Sequence, residues 1–268
     1  MSEISEKNRN TENGADDFAQ QAVYGKNAVT ELLKSGAGVD TVFVADNVNQ
    51  ATRKYYEALA KEAGAVVKTV HAAKLKNICH TENHQGVACY AASVTYVSLE
   101  DILENAEKRK EAPFVILADG VEDPHNLGAI IRSAFLCGAH GIVIPRRGGA
   151  AVTPVVHKAS AGASMSLPIA RVANIGQAVR ILKQKNIFVY CADMDGYPLY
   201  KNNLTGAIAL VVGSEGKGVS PLVKSLCDGV VSIPMAAAGT SVDSFNVSVA
   251  SGIIMYEIVR QRLLRGEN

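Results

Sequence analysis

The sequence has no tryptophan, only 6% aromatic residues, and five cysteines spread along 268 residues. No two cysteines form a CxxC pair, so we expect reduced, mostly buried thiols and no disulfide framework. No apolar run approaches the roughly 20 residues that a membrane span requires. The polar N-terminus, of mixed charge, does not have the pattern of a secretory signal. These absences favour a globular protein of the cytoplasm.

A strong net charge is also missing, since the chain carries a formal charge of +1. Residues 1–112 contain 13 basic and 16 acidic side chains, and residues 113–268 contain 14 and 10. This mild basic bias permits a polyanionic partner on the C-terminal part without requiring one. Cys79, His80 and His84, with His71 upstream, are zinc-ligand types, but they lack the paired spacing of a structural site. We therefore expect no metal.

The composition changes twice along the chain. Residues 1–20 have almost no apolar content, which predicts a disordered tail. In residues 21–95, strand-like segments at 41–46, 65–70 and 86–94 alternate with helical patterns at 27–33 and 51–64, which predicts a small α/β domain. Residues 96–112 form a charged helix that we interpret as a solvated linker. Residues 113–268 make up the second domain.

Four apolar segments dominate this second domain: FVILADG (114–120), GIVIP (141–145), IFVYCAD (187–193) and AIALVVG (207–213). Helical patterns lie between them, with Thr153 and Asn174 as predicted helix caps. Strands that are apolar throughout predict a mostly parallel sheet covered on both faces. The last predicted helix, at 247–264, places apolar side chains near one face: Val249, Ile253, Tyr256 and Leu263.

The stretch LVVGSEGKGVS (210–220) has the composition of a phosphate-binding loop, so we tested it against two such motifs. A Walker A loop needs a lysine after the second glycine of GxxxxG, but Val219 stands there. A dinucleotide fingerprint starting at Gly216 needs a glycine at position 221, which is Pro221. Both readings fail.

Polar residues also follow two other apolar segments of the chain, besides the one that ends at Gly213. ADGVEDPHNLGAIIRSA (118–134) and SIPMAAAGTSVDSFNVSVA (232–250) are rich in acids, amides and hydroxyls. Because ligands bind beyond the carboxyl ends of parallel strands, we expect the three polar loops to surround one pocket.

These segments resemble the three signature motifs of the SpoU/TrmH family of RNA ribose 2′-O-methyltransferases, within the SPOUT superfamily. DPHNLGAIIRSA is similar to the first motif, LVVGSEGKGVS to the second, and IPM with SFNVSVA to the third. YGKNAVTELL (24–33) and HQGVACYAA (84–92) resemble the opening and closing phrases of the family's small RNA-binding domain. The resemblance covers about residues 22–265.

The resemblance implies an α/β protein with a small N-terminal RNA-binding domain and a C-terminal trefoil-knot domain, in place of the open sheet that general topology rules favour. It implies S-adenosyl-L-methionine as cofactor, a homodimer, and methylation of a ribose in large-subunit ribosomal RNA, with a guanosine as the expected nucleotide. A transfer RNA methyltransferase is the alternative within the class, and the N-terminal domain favours the ribosomal target. A non-catalytic RNA-binding assembly factor is the alternative outside it.

The motif match also implies a set of site residues. The expected catalytic residues are Asn126, Arg132, Glu215, Ser244 and Asn246. The expected cofactor-binding residues are Gly213, Gly216, Ile233, Met235, Phe245 and Ser248. Arginine holds its proton strongly, so we expect Arg132 to bind an RNA phosphate and stabilise negative charge.

The third motif departs from the family pattern in two ways. Phe245 replaces the usual leucine, and the stretch AAAGTSVD (236–243) is longer than expected. Both changes affect the rim of the cofactor site more than its chemistry. Arg146, Arg147, His157 and Lys158 form a further candidate RNA contact, and a solvated basic loop explains them equally well.

Overall fold

The computed structural model describes residues 22–34, 38–91, 94–236 and 244–266. The tail predicted at 1–20 lies outside the described residues. So do residues 237–243, which contain most of the long third-motif loop.

The N-terminal unit is a four-stranded sheet with helices packed against it. The strands have the order β1-β4-β2-β3, with β2 and β3 parallel and β4 antiparallel to both β1 and β2. Its elements are β1 (Val23–Tyr24), α1 (Lys26–Lys34), β2 (Val39–Ala45), α2 (Gln50–Glu62), β3 (Val66–Val70), α3 (Ala72–Cys79) and β4 (Val87–Ala91).

The C-terminal unit is built on a larger sheet. Its first elements are α4 (Leu99–Arg109), β5 (Phe114–Ala118), α5 (Pro124–Leu136), β6 (Gly141–Pro145), α6 (Pro154–Ala159) and β7 (Ile169–Val172). They are followed by α7 (Ile175–Gln184), β8 (Phe188–Pro198), β9 (Ile208–Val212), α8 (Pro221–Leu226), β10 (Gly229–Ser232) and α9 (Val247–Arg265). Short 3₁₀ helices span Ala163–Met165 and Leu199–Lys201. No helix in the described ranges is long and apolar enough to cross a membrane.

All six strands of the large sheet run parallel, in the order β10-β8-β9-β5-β6-β7. Its two faces carry separate apolar cores because side chains alternate along each strand. In β5, Phe114 and Ile116 belong to the core beneath α5, α6 and α9, while Val115 and Leu117 belong to the core beneath α4, α7 and α8. The prediction of a parallel sheet covered on both faces is confirmed.

Helix α4 differs from a solvated linker. Its charged face is exposed, but Leu99, Ile102 and Ala106 are buried, and Ile102 packs so closely on Gly141 that a Cβ there would lie 2.6 Å from it. Ser98 and Asp101 close a capping box at its start. The helix therefore belongs to the core of the large sheet.

Thr153 precedes α6, as expected, but the prediction that its side chain caps the helix is wrong. Its side chain makes no capping hydrogen bond, and its hydroxyl is buried without a partner. Pro154 occupies the first turn of α6, and its fixed φ is already suited to a helix. The cap predicted at Asn174 is confirmed, because its side chain accepts a hydrogen bond from the Gln177 backbone at 3.2 Å.

A buried ion pair joins the two units. Arg171 on β7 donates to the Asp40 carboxylate on β2 at 2.6 Å, and both side chains are at most 8% exposed. Tyr96 donates to the same carboxylate at 2.8 Å and lies beneath the Arg171 guanidinium. Burial raises the pKa of Asp40 despite the opposing effects of Arg171 and Tyr96. The contact defines how the N-terminal unit sits on β7.

Candidate active site

A ring of three polar side chains lies at the carboxyl end of the large sheet. Asn126 donates to Glu215 at 3.2 Å, and Asn246 donates to Asn126 at 3.0 Å and to Glu215 at 3.3 Å. Each of the three residues comes from a different motif, and 120 positions separate the outer two along the chain. The predicted convergence of the three loops is therefore present for these residues.

The first-motif loop connects β5 to α5. Asp123 caps α5 by accepting from the His125 backbone at 2.9 Å, and this places Asn126 in the first turn of the helix, where it is 7% exposed. Asp119 ties this loop to the second motif, since its carboxylate accepts from the backbone N–H and the hydroxyl of Ser220 at 2.9 and 2.6 Å.

The second-motif loop follows β9 and folds back on itself. Ser214 and Gly218 exchange two backbone hydrogen bonds of 3.0 and 2.9 Å. A Cβ on Gly213 would lie 1.9 Å from the Gly218 carbonyl carbon, so only glycine fits at position 213. Gly216 has φ of +82°, which favours glycine. The tight loop aims Glu215 at the two asparagines.

The third motif ends at the start of α9. Asn246 is the N-cap of this helix, and its oxygen accepts from the Ser248 backbone at 2.9 Å and from the Ser248 hydroxyl at 2.6 Å. These contacts occupy the side-chain oxygen and leave the amide nitrogen of Asn246 for Asn126 and Glu215. Because Glu215 accepts from both amides, the ring is arranged around an acceptor-only carboxylate.

A cavity of about 460 Å³ lies beside the ring, between β8, β9, β10 and α9. Its walls combine polar groups of the second and third motifs with apolar side chains such as Val212, Val231 and Ile254. The predicted residues that line it are Gly213, Glu215, Gly216, Ile233, Met235, Ser244, Phe245 and Asn246.

The other three predicted residues lie outside the cavity wall. Asn126 is buried and is linked to the cavity by its hydrogen bond to Glu215, which lines it. The hydroxyl of Ser248 is bonded to Asn246, and Ser248 borders a groove between α5 and α9. Arg132 is exposed and follows Asn126 by six residues, which turns it to another face of α5.

Sequence reasoning missed Asp193 as a lining residue. It lies in β8, next to the lining residues Ala192 and Met194, and accepts from Lys224 of α8 at 2.9 Å. The signal that could have identified it is the one used for the motifs: IFVYCAD is an apolar strand whose last residue is an acid. It was overlooked because it belongs to none of the three motifs.

An exposed apolar surface covers the outer sides of α5 and α9. Phe135 and Leu136 are 44% and 72% exposed, and Ile253 and Tyr256 are 37% and 65% exposed. Arg132 precedes Phe135 and Leu136 by three and four residues and therefore lies on the same face of α5. The apolar residues predicted on one face of the last helix, including Val249 and Leu263, all point away from the core.

The candidate RNA-contact residues form no cluster with the cavity. Arg146 and Arg147 are exposed after β6, and the Arg146 guanidinium lies against Gly64 of the N-terminal unit. Lys158 is exposed, while His157 is half-buried and contacts the Ser164 hydroxyl at 3.1 Å.

Two family models match consecutive parts of this chain. Residues 22–97 match the RNA 2′-O ribose methyltransferase substrate-binding domain, and residues 113–256 match the SpoU rRNA Methylase family. The chain belongs to the SpoU family. Its C-terminal unit is the SPOUT-type methyltransferase domain of this family, and its N-terminal unit is the substrate-binding domain.

Relatives of this SpoU methyltransferase span nearly its whole length. It is 41% identical over 247 residues to YacO of Bacillus subtilis, a protein named for the TrmH family of tRNA/rRNA methyltransferases, with 91% of this chain and 97% of YacO covered. It is 36% identical over 241 residues to the 23S rRNA (guanosine-2′-O-)-methyltransferase RlmB of Ralstonia nicotianae, with 89% and 94% covered.

A solved structure of similar fold contains the cofactor. The SpoU methyltransferase AviRb from Streptomyces viridochromogenes, in complex with AdoMet, is 26% identical, with a TM-score of 0.57 and coverage of 91% of this chain and 90% of AviRb. S-adenosylmethionine (AdoMet) is the cofactor of the SpoU family. The cavity suits it, because its volume is within the usual range for small-molecule sites and Gly213 brings bare backbone to its wall.

Proposed function

We propose that this protein methylates the 2′-hydroxyl of a ribose in 23S ribosomal RNA, with a guanosine as the target nucleotide, in the cytoplasm. The observation that carries the proposal is the Asn126–Glu215–Asn246 ring beside a cavity suited to S-adenosylmethionine. Binding RNA alone would not require a closed hydrogen-bonded ring beside a cofactor cavity. The choice of 23S RNA is supported by the similarity to RlmB, which extends over both units.

In this proposal, one set of residues binds the cofactor and another positions the ribose. Gly213, Gly216, Ile233, Met235 and Phe245 hold the cofactor, which supplies an electrophilic methyl group when it is bound. Ser244 and the ring position the attacking ribose oxygen at the cavity mouth. The ring acts by orientation, since the two amides and the carboxylate fix one another.

Arg132 has a separate role in the proposal. Its guanidinium binds the RNA phosphate next to the target ribose and stabilises the negative charge that develops on the 2′-oxygen. Its exposed position on α5 is compatible with contact to a large substrate but not with contact to the cavity of its own chain. We therefore propose a homodimer packed through the exposed faces of α5 and α9, in which Arg132 serves the partner's cavity.

The direct test offers purified protein a labelled methyl donor and three RNAs: unmodified 23S RNA, 16S RNA and transfer RNA. We expect label in 23S RNA, at one nucleotide whose 3′ phosphodiester resists alkaline cleavage because its 2′-oxygen is methylated. Arg132→Ala is expected to abolish this labelling. Arg180→Ala, which removes an exposed cation on α7, is the matched control and should retain it.

Two outcomes would contradict the proposal in different ways. Label found only in transfer RNA would leave the reaction intact and change the substrate. Tight binding of 23S RNA with no label in any RNA would favour an assembly factor.

A further inference from the structure

The cavity contains a second carboxylate, Asp193, besides Glu215. The two carboxylates have different surroundings. Glu215 accepts hydrogen bonds from Asn126 and Asn246 and is part of the ring. Asp193 belongs to β8, outside all three motifs, and has no role in the proposed reaction.

Asp193 is held in place from behind by Lys224. The Lys224 ammonium donates to Asp193 at 2.9 Å and to Asp195 at 2.6 Å, so one lysine of α8 joins two acids of β8. The side chain of Lys224 is 27% exposed, as against 71% for that of Asp195. Asp195 does not line the cavity, whereas Asp193 does.

The ionised form of Asp193 is the favoured one. Partial burial raises its pKa, but the hydrogen bond and charge of Lys224, with the backbone N–H groups of Met194 and Asp195, lower it further, so the net pKa is below its ordinary value. The same contacts raise the pKa of Lys224. An ionised carboxylate only accepts hydrogen bonds, and it has room for about four of them.

The cavity wall that Asp193 shares is partly apolar, and its polar side chains include Ser214, Glu215 and Lys217 of the second-motif loop. Val212, Val231 and Ile254 are apolar, and a Cβ on Gly218 would lie 3.7 Å from a carboxylate oxygen of Asp193, so the acid lies directly against the second-motif loop. A carboxylate on such a wall favours a ligand that presents an O–H or N–H donor. S-adenosylmethionine carries such donors on its ribose and at its α-ammonium group.

We propose that Asp193 is a cofactor-binding residue, whose carboxylate accepts a hydrogen bond from a ribose hydroxyl or the α-ammonium group of the cofactor. Lys224 is the positioning residue for this contact. The lysine pairs with both acids and so offsets the mutual repulsion of Asp193 and Asp195, in the part of β8 where its register with β10 shifts. The inference concerns the cofactor alone and holds whichever RNA is methylated.

The test measures binding calorimetrically without RNA. S-adenosylhomocysteine and 5′-methylthioadenosine are titrated into the full chain and into Asp193→Asn, which preserves the size of the side chain. We expect the Kd for S-adenosylhomocysteine to rise about tenfold or more, as for a lost hydrogen bond to a charged group. Since methylthioadenosine keeps the ribose and lacks the amino-acid end, an equal loss for both ligands identifies the ribose hydroxyl, and a loss for S-adenosylhomocysteine alone identifies the ammonium.

Further variants distinguish the positioning role of Lys224 from the direct contact of Asp193 with the cofactor. Lys224→Met is expected to raise both this Kd and the KM for S-adenosylmethionine, and Lys224→Arg to restore them, because arginine can still bridge two carboxylates. Asp195→Asn is the matched control: it removes an exposed acid from the same lysine but not from the cavity, and should change the Kd less than about threefold. Unchanged affinity for both ligands in a folded Asp193→Asn protein would overturn the proposal.

Discussion

At the scale of single residues, the site depends on how three side chains orient one another. Glu215 is the centre of the ring because it alone only accepts hydrogen bonds, and both asparagine amides donate to it. Asn126 is buried and Asn246 caps α9, so neither can turn freely. The exposed Glu215 therefore receives its direction from its two partners and from the tight glycine loop.

The ring makes Glu215→Gln a sharp test. The glutamine amide group would face a donor of Asn126 or Asn246, so one hydrogen bond is replaced by a donor–donor conflict. We expect methyl transfer to fall about 10- to 100-fold, the equivalent of one charge-assisted hydrogen bond. Initial rates at saturating cofactor measure the effect. Glu122→Gln is the control, since Glu122 is an exposed acid of the first-motif loop, and equal rates for both variants would refute a special role for Glu215.

At the scale of elements, the buried Asp40–Arg171 pair sets how β2 of the substrate-binding domain meets β7. Asp40→Asn would leave the Arg171 charge buried without a counter-charge. Breaking a buried pair in this way costs about 3–5 kcal/mol, so we expect a lower thermal midpoint. The double variant Asp40→Asn/Arg171→Met should recover much of the loss. A double variant as unstable as the single one would show that the charges are not what couples the domains.

His140, just before β6, provides a prediction about pH. It is fully buried, and its Nδ1 accepts from the Phe114 backbone at 3.0 Å. Burial and the charge of Arg109 lower its pKa below the ordinary 6.5, although Glu111 opposes this. The unfolded chain then binds more protons, so the stability that His140 contributes is present above pH 6.5 and is lost as the pH falls. Urea unfolding between pH 8 and 5 should show a weaker pH dependence in His140→Gln than in His125→Gln, where the histidine is exposed.

The elements that could be predicted from the sequence are those in which a single pattern, such as a continuous apolar segment or a clear helix cap, dominates. The strands β5, β6 and β9 and the first five residues of β8 are apolar throughout. Asn174 also has an unambiguous capping position. Helix α3 was missed because AAKLKNIC is short and its cap is a histidine, His71, which is an unusual cap. The role of α4 was misjudged because its charges dominate the sequence, while the contact between Ile102 and Gly141 depends on tertiary packing that no local pattern reveals.

The site was predictable only in part, for a related reason. The ring residues share motifs that sequence comparison can recognise, and the cavity lining by Gly213, Ile233 and Met235 follows from their positions after strands. Asp193 and its link to Lys224 depend on β8 and α8 meeting across 31 positions of chain. The motifs also gave no orientation for Arg132, because helical geometry directs it away from Asn126.

At the scale of the whole molecule, the outer sides of α5 and α9 expose the large apolar side chains of Phe135, Leu136, Ile253 and Tyr256. Large exposed apolar patches mark interaction sites, and Arg132 lies within this one. A two-fold symmetric pairing through this face would place the same residues of both copies in contact. The proposed dimer and the proposed role of Arg132 are therefore linked.

The link can be tested by mixing two variants of low activity. Arg132→Ala and Glu215→Gln subunits, unfolded and refolded together, should form mixed dimers that each contain one complete site. If Arg132 acts on its partner, activity should return to about a quarter of the wild-type level, because half of the dimers are mixed and one of their two sites is intact. No recovery, with mixed dimers demonstrated by mass, would place Arg132 at its own chain's cavity.

The order of the ring residues along the chain has a consequence for synthesis. A nascent chain that has emerged as far as Ser232 contains all six strands of the large sheet that the structure describes, yet it still lacks Asn246 and the helix that closes the donor cavity. A chain that ends between residues 233 and 245 would therefore keep the substrate-binding domain but would lack both Asn246 and α9, which complete the ring and the cavity.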